Sequence, residues 1–355
     1  MSTTPDVLGP VTHQRTNRAF RLRRRPNGPA TADDLTLVTE PIAPLREGQA
    51  LARTLFLSID PASRIWMGHD RPFMPAVPIG AVMRGLGVCQ IVASRRADMD
   101  VGDLVAGFTG WQEYCVVDDA TLDAPLSVLP SPPPAPPSAF VGVLGHTGIS
   151  AYLGIDFLDP QPGQTVVVSA AAGAVGSVAG QLAKERGARV VGIAGGPEKS
   201  RHVVEDLGFD ACIDHRAADW QAQLDAATPD GVDLDFENVG GEIMDHILMR
   251  MNLHARVFVC GLIAHYNAGD RDTWRGLVNF DQVQMQRVTL CGFIVTDHLD
   301  RWPEAINYLA ARLATGRLRN EETVLEGLDA APAALDRIFS GAEIGKIVLH
   351  IADPA

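Results

Sequence analysis

The sequence lacks the features that mark membrane-spanning, secreted and nucleic-acid-binding proteins. No stretch approaches the roughly 18 uninterrupted apolar residues of a membrane span, and residues 1–25 contain no apolar core of a signal peptide. Basic residues are outnumbered, 30 against 43 acidic ones, and the net charge of −13 disfavours phosphate backbones and anionic lipid surfaces. We therefore expect a cytoplasmic protein with no membrane and no nucleic-acid partner.

Cysteine is also scarce, and its five positions do not form pairs. None of the five has CxxC spacing, and all lie in apolar surroundings: Cys89, Cys115, Cys212, Cys260 and Cys291. A disulfide framework and a structural zinc site are both disfavoured by this spacing. A reducing compartment is the simplest interpretation.

The composition is that of an ordinary globular protein, with 46% hydrophobic and 21% charged residues. The length of 355 residues is enough for about two domains. One basic cluster stands out near the N-terminus. It is similar to a nucleic-acid-binding arm but has no interleaved aromatic residues, so an ion-paired strand edge is the better interpretation. Its arginines occupy positions 15, 18, 21, 23, 24 and 25.

The first ~130 residues predict short strands separated by glycine turns. Apolar, β-branched runs cover 50–59, 88–93 and 112–117. Together they indicate a β-rich, barrel-like module. The proline-rich segment 131–138 follows; its prolines fix φ and remove amide donors, so we interpret it as a connection between modules.

From about residue 140 strands and helices alternate. A helix after the first strand has apolar residues at Val175, Val178, Ala179, Leu182 and Ala183. A second helix begins near Pro197 and places Val203, Val204 and Leu207 inward. The predicted strands are 165–170, 189–194, 211–214, 232–237, 256–261 and 288–295. This pattern predicts an α/β fold with a doubly wound parallel sheet, while the strand-like end of 325–351 returns to the N-terminal module.

The turn after the first of these strands carries a variant of the dinucleotide-binding fingerprint. Gly173 allows close approach of a pyrophosphate, and Gly176 allows the helix to pack against the strand. The free amides and the positive dipole end of the helix then receive phosphates. A glycine pattern in alanine-rich sequence is weak alone, but here it joins a strand to an amphipathic helix. The sequence therefore predicts a dinucleotide site.

The second strand indicates which nicotinamide cofactor is bound. NAD sites usually have a carboxylate about 20 residues beyond the glycines, but here Gly195 and Gly196 occupy that place. Lys199 and Arg201 follow, and a cation at this corner suits a 2′-phosphate. NADP(H) is therefore the predicted cofactor. The alternative is that both cations merely face solvent; His215, after the third strand, could add a donor or be a surface histidine.

Several separated motifs resemble one family, the medium-chain dehydrogenase/reductases. The resemblance is to its zinc-independent branch of prostaglandin reductases, leukotriene 12-hydroxydehydrogenases and 2-alkenal reductases. The matching segments are LFLSIDPASR (55–64), VGDLVAGFTGWQEY (101–114), GHTGISAY (145–152), SAAAGAVGSVAGQLAK (169–184), GGPEKS (195–200), ENVGGEIMD (237–245), CGLIAHYN (260–267) and GFIV (292–295). The resemblance implies a GroES-like β-barrel catalytic domain over 1–137 and 316–355, a Rossmann domain over 138–315, a cleft between them and a homodimer.

The resemblance also implies roles for individual residues. Tyr266 matches a family tyrosine that hydrogen-bonds around the nicotinamide ribose and the substrate carbonyl, which makes it the candidate catalytic residue. The implied cofactor-binding positions are Gly173, Ala174, Val175, Gly176, Gly195, Lys199, His215, Asn238, Cys260, Tyr266, Phe293 and Val295.

Three positions depart from the family pattern. Ala62 stands where many members have a pocket tyrosine, and His215 replaces a tyrosine that is often near the 2′-phosphate. Glu343 replaces an asparagine that contacts the cofactor. The first departure affects substrate identity, and the third affects cofactor affinity or closure of the cleft. Trp66, Met67 and Met74 form either an apolar pocket wall or part of the core.

The chemistry expected without a metal is conjugate reduction. Residues 57–66, where zinc-dependent relatives place an early ligand, hold neither cysteine nor histidine, and we expect no metal. Hydride from NADPH to the β-carbon of an apolar α,β-unsaturated ketone or aldehyde leaves an enolate that needs a hydrogen-bond donor. The alternatives are a quinone or carbonyl reductase and a non-catalytic NADPH-binding protein.

Overall fold

A computed structural model describes residues 15–124, 126–268 and 276–355 of the chain. Residues 1–14 lie outside the described residues. They begin the predicted catalytic domain and make up most of the segment that was considered for a signal peptide. Among the described residues, no helix is both long and apolar enough to cross a bilayer.

The N-terminal part is built from antiparallel strands. Its strands are β1 (Thr16–Leu22), β2 (Leu35–Pro41), β3 (Ala50–Ser58), β4 (Leu86–Ser94), β5 (Leu104–Phe108), β6 (Tyr114–Val117) and β7 (Ser127–Val128). β1 pairs with β2, while the larger sheet places β3 beside β4 and β6. The predicted β-rich module is confirmed, with β6 beginning two residues later than expected.

The C-terminal segment completes the larger sheet, as predicted. It contributes β14 (Glu322–Glu326) and β15 (Lys346–His350). β15 pairs antiparallel with β3 and parallel with β14, which gives the order β14-β15-β3-β4-β5-β7. The domain boundaries at 137/138 and 315/316 remain a prediction.

The stretch of chain between the N-terminal and C-terminal segments forms a six-stranded parallel sheet. The predicted doubly wound α/β fold is therefore confirmed. Its strands are β8 (Thr165–Ser169), β9 (Arg189–Ala194), β10 (Ala211–Asp214), β11 (Val232–Glu237), β12 (Met251–Val259) and β13 (Thr289–Gly292). Their order is β10-β9-β8-β11-β12-β13, so the direction of winding reverses beside β8. Ligands bind at such a reversal, beyond the carboxyl ends of the strands.

Helices cover both faces of the parallel sheet and connect the parts. The helices of the described residues are α1 (Ala62–Trp66), α2 (His146–Leu158), α3 (Gly176–Glu185), α4 (Pro197–Glu205), α5 (Trp220–Ala227), α6 (Gly241–Arg250), α7 (Asp281–Met285), α8 (Trp302–Ala314) and α9 (Ala331–Ser340). Of these, α1 and α9 pack in the antiparallel part. One face of the parallel sheet packs against α2, α3 and α8, and the other against α5 and α6.

Three local expectations need correction. The strand predicted over 288–295 ends at Gly292, because β12, its ladder partner, ends at Val259. In α4 Val203 is fully buried but Val204 is 37% exposed, because a rotation of 100° per residue turns it off the packed stripe. The proline-rich segment is irregular as expected, except that a 3-10 helix, Pro137–Val141, begins within it.

Three of the six arginines in the cluster form ion pairs with described residues, as the strand-edge interpretation predicts. Arg18 contacts both Glu113 and Asp329. Arg21 pairs with Glu40 at 2.6 Å. In addition, the Arg24 guanidinium pairs with a buried aspartate at 2.7 Å. These contacts tie β1 to its neighbours.

Candidate active site

A cavity of about 640 Å³ opens at the carboxyl ends of the parallel strands and is closed on its other side by the antiparallel part of the chain. Every one of the twelve predicted site positions lines it. In chain order they are Gly173, Ala174, Val175, Gly176, Gly195, Lys199, His215, Asn238, Cys260, Tyr266, Phe293 and Val295. These positions follow all six parallel strands, so the sheet topology alone brings them to one edge.

The glycine-rich turn between β8 and α3 is a close backbone packing. A Cβ at Gly176 would lie 2.4 Å from the Ala170 carbonyl oxygen, and one at Gly173 would lie 3.2 Å from the same atom. Ala170 itself has a φ of 51°, in the left-handed region. The Ser177 and Ala179 amides at the start of α3 donate to the Gly173 and Val175 carbonyls of the turn, whereas the amides of Gly176 and Val178 have no backbone acceptor among the described residues and remain available to a ligand. This cradle fits a pyrophosphate.

Three basic side chains gather where β9 and β10 end. A Cβ at Gly195 would meet His215 Nε2 and Arg216 Nε, each at 3.0 Å. Lys199 donates from Nζ to the Gly341 carbonyl at 2.9 Å. Burial, then the nearby Arg216 charge, lowers the pKa of both Lys199 and His215. This cation corner, defined as Lys199, His215 and Arg216, fits a phosphate monoester.

Of the two cations that the sequence suggests for the 2′-phosphate, one does not lie at the cavity, and a further cation that the sequence analysis did not name does. Arg201 does not line the cavity; its side chain is 67% exposed and lies 4.0 Å from Glu205. Arg216 does line it, and donates to the Ser340 carbonyl at 3.0 Å. Its position directly after His215, at the end of the third strand, was the available sequence signal.

The departure at Glu343 is compensated within the chain. Glu343 lines the cavity beside the cation corner, and its carboxylate accepts two hydrogen bonds from the Arg337 guanidinium. The added negative charge is therefore paired. Gly345 lies two residues on and donates from its amide to the Ala172 carbonyl at 2.8 Å, which joins this loop to the glycine-rich turn.

A hydrogen-bond network fixes the turn after β11. The side-chain Nδ2 of Asn238 donates to the Ser169 carbonyl at 2.8 Å, and the main-chain N–H of Asn238 donates to Ser169 Oγ at 2.7 Å. Ser169 Oγ in turn donates to Glu237 at 2.7 Å, and Glu237 also accepts from the amides of Val239 and Gly240. The Asn238 side chain is therefore held at the cavity edge.

Tyr266 follows the 3-10 helix Ile263–His265 and is the polar group of most chemical interest. The main-chain amide of Leu262 donates to its hydroxyl oxygen at 3.1 Å. A Cβ at Gly261 would lie 3.3 Å from that oxygen, so glycine leaves it room. Burial raises the pKa of Tyr266, which keeps the hydroxyl protonated at neutral pH. The group can therefore donate a hydrogen bond.

The remaining predicted positions form a less polar wall. Burial raises the pKa of Cys260 to about 12, so this thiol stays protonated. Phe293 packs against Phe258 with ring centroids 4.7 Å apart. The Trp302 indole donates to the Val295 carbonyl at 3.2 Å. These contacts fix the segment that follows β13, in which a 3-10 helix, Val295–Arg301, begins.

The antiparallel part contributes a largely apolar wall. Trp66 and Met74 line the cavity, whereas Met67 is fully buried and belongs to the core. Ala62 lines the cavity without an aromatic ring. Sequence reasoning missed Phe108 on β5 and His146 at the start of α2, which also line it.

Metal ligands are not gathered at the cavity. Among the described residues, no group of three or more histidine, cysteine, aspartate or glutamate side chains is arranged to hold a metal ion. The residues present therefore do not fit a zinc site, and we derive no step through one.

Comparisons with known proteins follow the same two parts of the chain. Residues 18–124 match the family model described as "N-terminal domain of oxidoreductase", and residues 174–311 match "Zinc-binding dehydrogenase". Together these models cover more than half of the chain. The chain belongs to the zinc-independent medium-chain dehydrogenase/reductase family.

Relatives in this family are similar over nearly the whole chain. The NADPH-dependent curcumin reductase of Escherichia coli is 38% identical over 95% of this chain and 97% of its own length. A 2-alkenal reductase (NADP(+)-dependent) of Nicotiana tabacum is 35% identical over 87% and 89%. The crystal structure of CurA in complex with NADPH from Vibrio vulnificus matches with a TM-score of 0.89, at 38% identity over 95% of this chain and all of that one.

Proposed function

We propose that this member of the family uses NADPH to reduce the C=C bond of α,β-unsaturated ketones and aldehydes, with hydride transfer to the β-carbon. The relatives named above support the reductase class. The observation that carries the proposal is the cavity itself, which joins a phosphate cradle, a cation corner and the Tyr266 hydroxyl beside an apolar wall.

The cofactor-binding residues are proposed from their positions. The backbone of Gly173, Ala174, Val175 and Gly176 would hold the pyrophosphate, since Gly173 and Gly176 bring no side chain to the turn. The cation corner would hold the 2′-phosphate through charge-assisted hydrogen bonds. Gly195 leaves the space between them for the adenosine ribose. Asn238, Cys260, Phe293 and Val295 would surround the nicotinamide half.

The reaction places one main demand on the chain's own residues. When bound, NADPH would supply the hydride to the β-carbon, and the resulting enolate would take a proton that originates from solvent at its α-carbon. Tyr266 donates a hydrogen bond from Oη to the substrate carbonyl, where negative charge develops, directly or through a ribose hydroxyl. The apolar wall excludes water, which strengthens this bond in the transition state. The amide of Leu262 holds Oη in place from the other side.

A substrate screen with product analysis tests the proposal. NADPH oxidation is followed with a 2-alkenal, an enone and a quinone, and product masses distinguish saturated carbonyls from alcohols and hydroquinones. We expect saturated ketones and aldehydes, with NADH much less effective. Reduction of only the quinone or the C=O bond would identify a different reductase, and tight NADPH binding without any turnover would identify a non-catalytic protein.

We also propose a homodimer. In the described chain β13 pairs only with β12, so its other edge is open, and an open edge is a template for pairing with a second strand. Phe280 and Met285, just before β13, are 54% and 56% exposed. Light scattering should give twice the chain mass, and Phe280→Glu with Met285→Glu should lower it. A monomeric wild type would contradict the proposal.

The compartment is proposed as the cytoplasm. All five cysteines are free thiols in the structure, and Cys89 on β4 and Cys115 on β6 are buried without a bond between them. Such thiols persist in a reducing compartment. Fractionation of cells that produce the protein tests this assignment.

A further inference from the structure

His146 joins the two sides of the cavity. It is the first residue of α2, and its imidazole lines the cavity. The ring meets Phe108, on β5, edge to face at a centroid distance of 5.5 Å, and Trp302, on α8, at 5.0 Å. Aromatic packing from both sides therefore fixes the orientation of this polar ring.

The donor hydrogens of the neighbouring polar side chains are already engaged in hydrogen bonds or ion pairs within the chain. Thr147 donates its hydroxyl to a main-chain carbonyl at 2.8 Å, and Ser150 donates to the carbonyl of His146 at 2.7 Å. Lys346 donates from Nζ to two main-chain carbonyls at 2.6 and 2.9 Å and pairs with Asp60 at 3.2 Å. An ammonium has three hydrogens. None of these groups has a donor left for a ligand.

The imidazole of His146 is different. Neither ring nitrogen makes a hydrogen bond to a described residue, and neither is sealed from the cavity. Burial lowers the pKa of His146 to about 4, although the nearby Asp60 charge opposes this, so the ring is neutral at physiological pH. A neutral imidazole offers one N–H donor and one nitrogen acceptor.

We propose that His146 is a specificity-determining residue that hydrogen-bonds a second, neutral oxygen atom of the substrate. This inference rests on the proposed reductase function, in which Tyr266 serves the reacting carbonyl. The preferred substrates are unsaturated carbonyl compounds with an additional hydroxyl or carbonyl group. An anionic group is disfavoured, since the neutral ring offers it no charge and the ammonium of Lys346 is already paired with Asp60.

Matched substrates with one and two oxygen atoms test the proposal. The first pair is 4-phenyl-3-buten-2-one and its para-hydroxyphenyl analogue, and the second is 2-nonenal and 4-hydroxy-2-nonenal. The readout is the ratio of kcat/KM within each pair. His146→Phe keeps the aromatic packing and removes the hydrogen bond, so it should lower the preference for the second oxygen about three- to tenfold in at least one pair. His146→Gln should restore part of it.

His69→Phe is the matched control, because His69 is exposed and does not line the cavity. The inference would be overturned if His146→Phe changed the kcat/KM ratio by less than twofold in both pairs. It would also be overturned if His69→Phe lowered the ratio as much as His146→Phe does. Calorimetry on NADP⁺-loaded protein with 4-phenylbutan-2-one and 4-(4-hydroxyphenyl)butan-2-one measures the same preference without turnover. A wild type that reduces no alkene would refute the reductase, while this binding comparison would still decide the role of His146.

Discussion

The main-chain amide of Leu262 and the hydroxyl oxygen of Tyr266 lie 3.1 Å apart in a hydrogen bond in which the amide donates. This bond leaves the hydroxyl hydrogen of Tyr266 available, because a phenol oxygen can accept and donate at once. A backbone donor thus orients the group that we assign to the substrate carbonyl. Loss of the hydroxyl should therefore affect catalysis more than folding.

Tyr266→Phe should lower kcat for a 2-alkenal roughly 10²-fold, since one donor to a developing oxyanion is removed. Steady-state kinetics with saturating NADPH measures this loss. Tyr114→Phe is the control, because Tyr114 lies on β6 and does not line the cavity. Full turnover combined with weaker NADPH binding would instead give Tyr266 a cofactor-orienting role.

The cation corner should discriminate between the two nicotinamide cofactors. Lys199→Ala and Arg216→Ala should each raise KM for NADPH roughly tenfold or more, because each removes a hydrogen bond to a charged phosphate, and should change KM for NADH little. Arg201→Ala, whose side chain points to solvent, serves as the control. Equal effects on NADPH and NADH would contradict the 2′-phosphate assignment.

Much of this site could be predicted from local patterns. Gly173, Lys199 and Tyr266 follow recognisable strands, and parallel strands deliver whatever follows them to one edge of the sheet. His146 and Phe108 could not be placed in this way. Their contact joins residues 38 positions apart in two parts of the fold, and no periodicity in the sequence reports such a contact.

Helix α2 was missed for a different physical reason. It is buried almost all round, between the parallel sheet on one side and α3 and α8 on the other. A helix without a polar face shows no 3.6-residue alternation. The strand predicted through Val295 was wrong for the converse reason: Phe293 and Val295 are apolar because they line the cavity, not because they extend the ladder.

The glycine-rich turn should not tolerate a methyl group. In Gly176→Ala the new Cβ would approach the Ala170 carbonyl oxygen, a backbone atom that cannot rotate away. We expect a loss of about 1–3 kcal/mol in the free energy of unfolding and weaker NADPH binding. Thermal unfolding and cofactor titration measure both. Gly292→Ala, where a Cβ would meet no atom within 4 Å, is the control, and equal effects in the two variants would refute this account.

Asp235 should make the fold less stable as pH rises. This residue lies on the central strand β11, is fully buried, and neither carboxyl oxygen has a hydrogen-bond partner in the described structure. Burial, then the charge of Glu237, raises the pKa of Asp235 well above its ordinary value of 3.8. The folded chain therefore retains a proton that the unfolded chain releases above about pH 4.

The stability that this proton provides is complete below pH 4 and is lost as pH rises towards the folded-state pKa. The Asp235→Asn side chain cannot ionise, so the variant does not lose this stability. The free energy of unfolding of the variant minus that of the wild type should therefore rise by up to about 1.4 kcal/mol per pH unit within that window. Urea unfolding at pH 5, 6, 7 and 8 measures the difference. Asp230→Asn, an exposed aspartate just before the same strand, should show no such trend. A constant difference between Asp235→Asn and the wild type across these pH values would mean that Asp235 is not protonated in the fold.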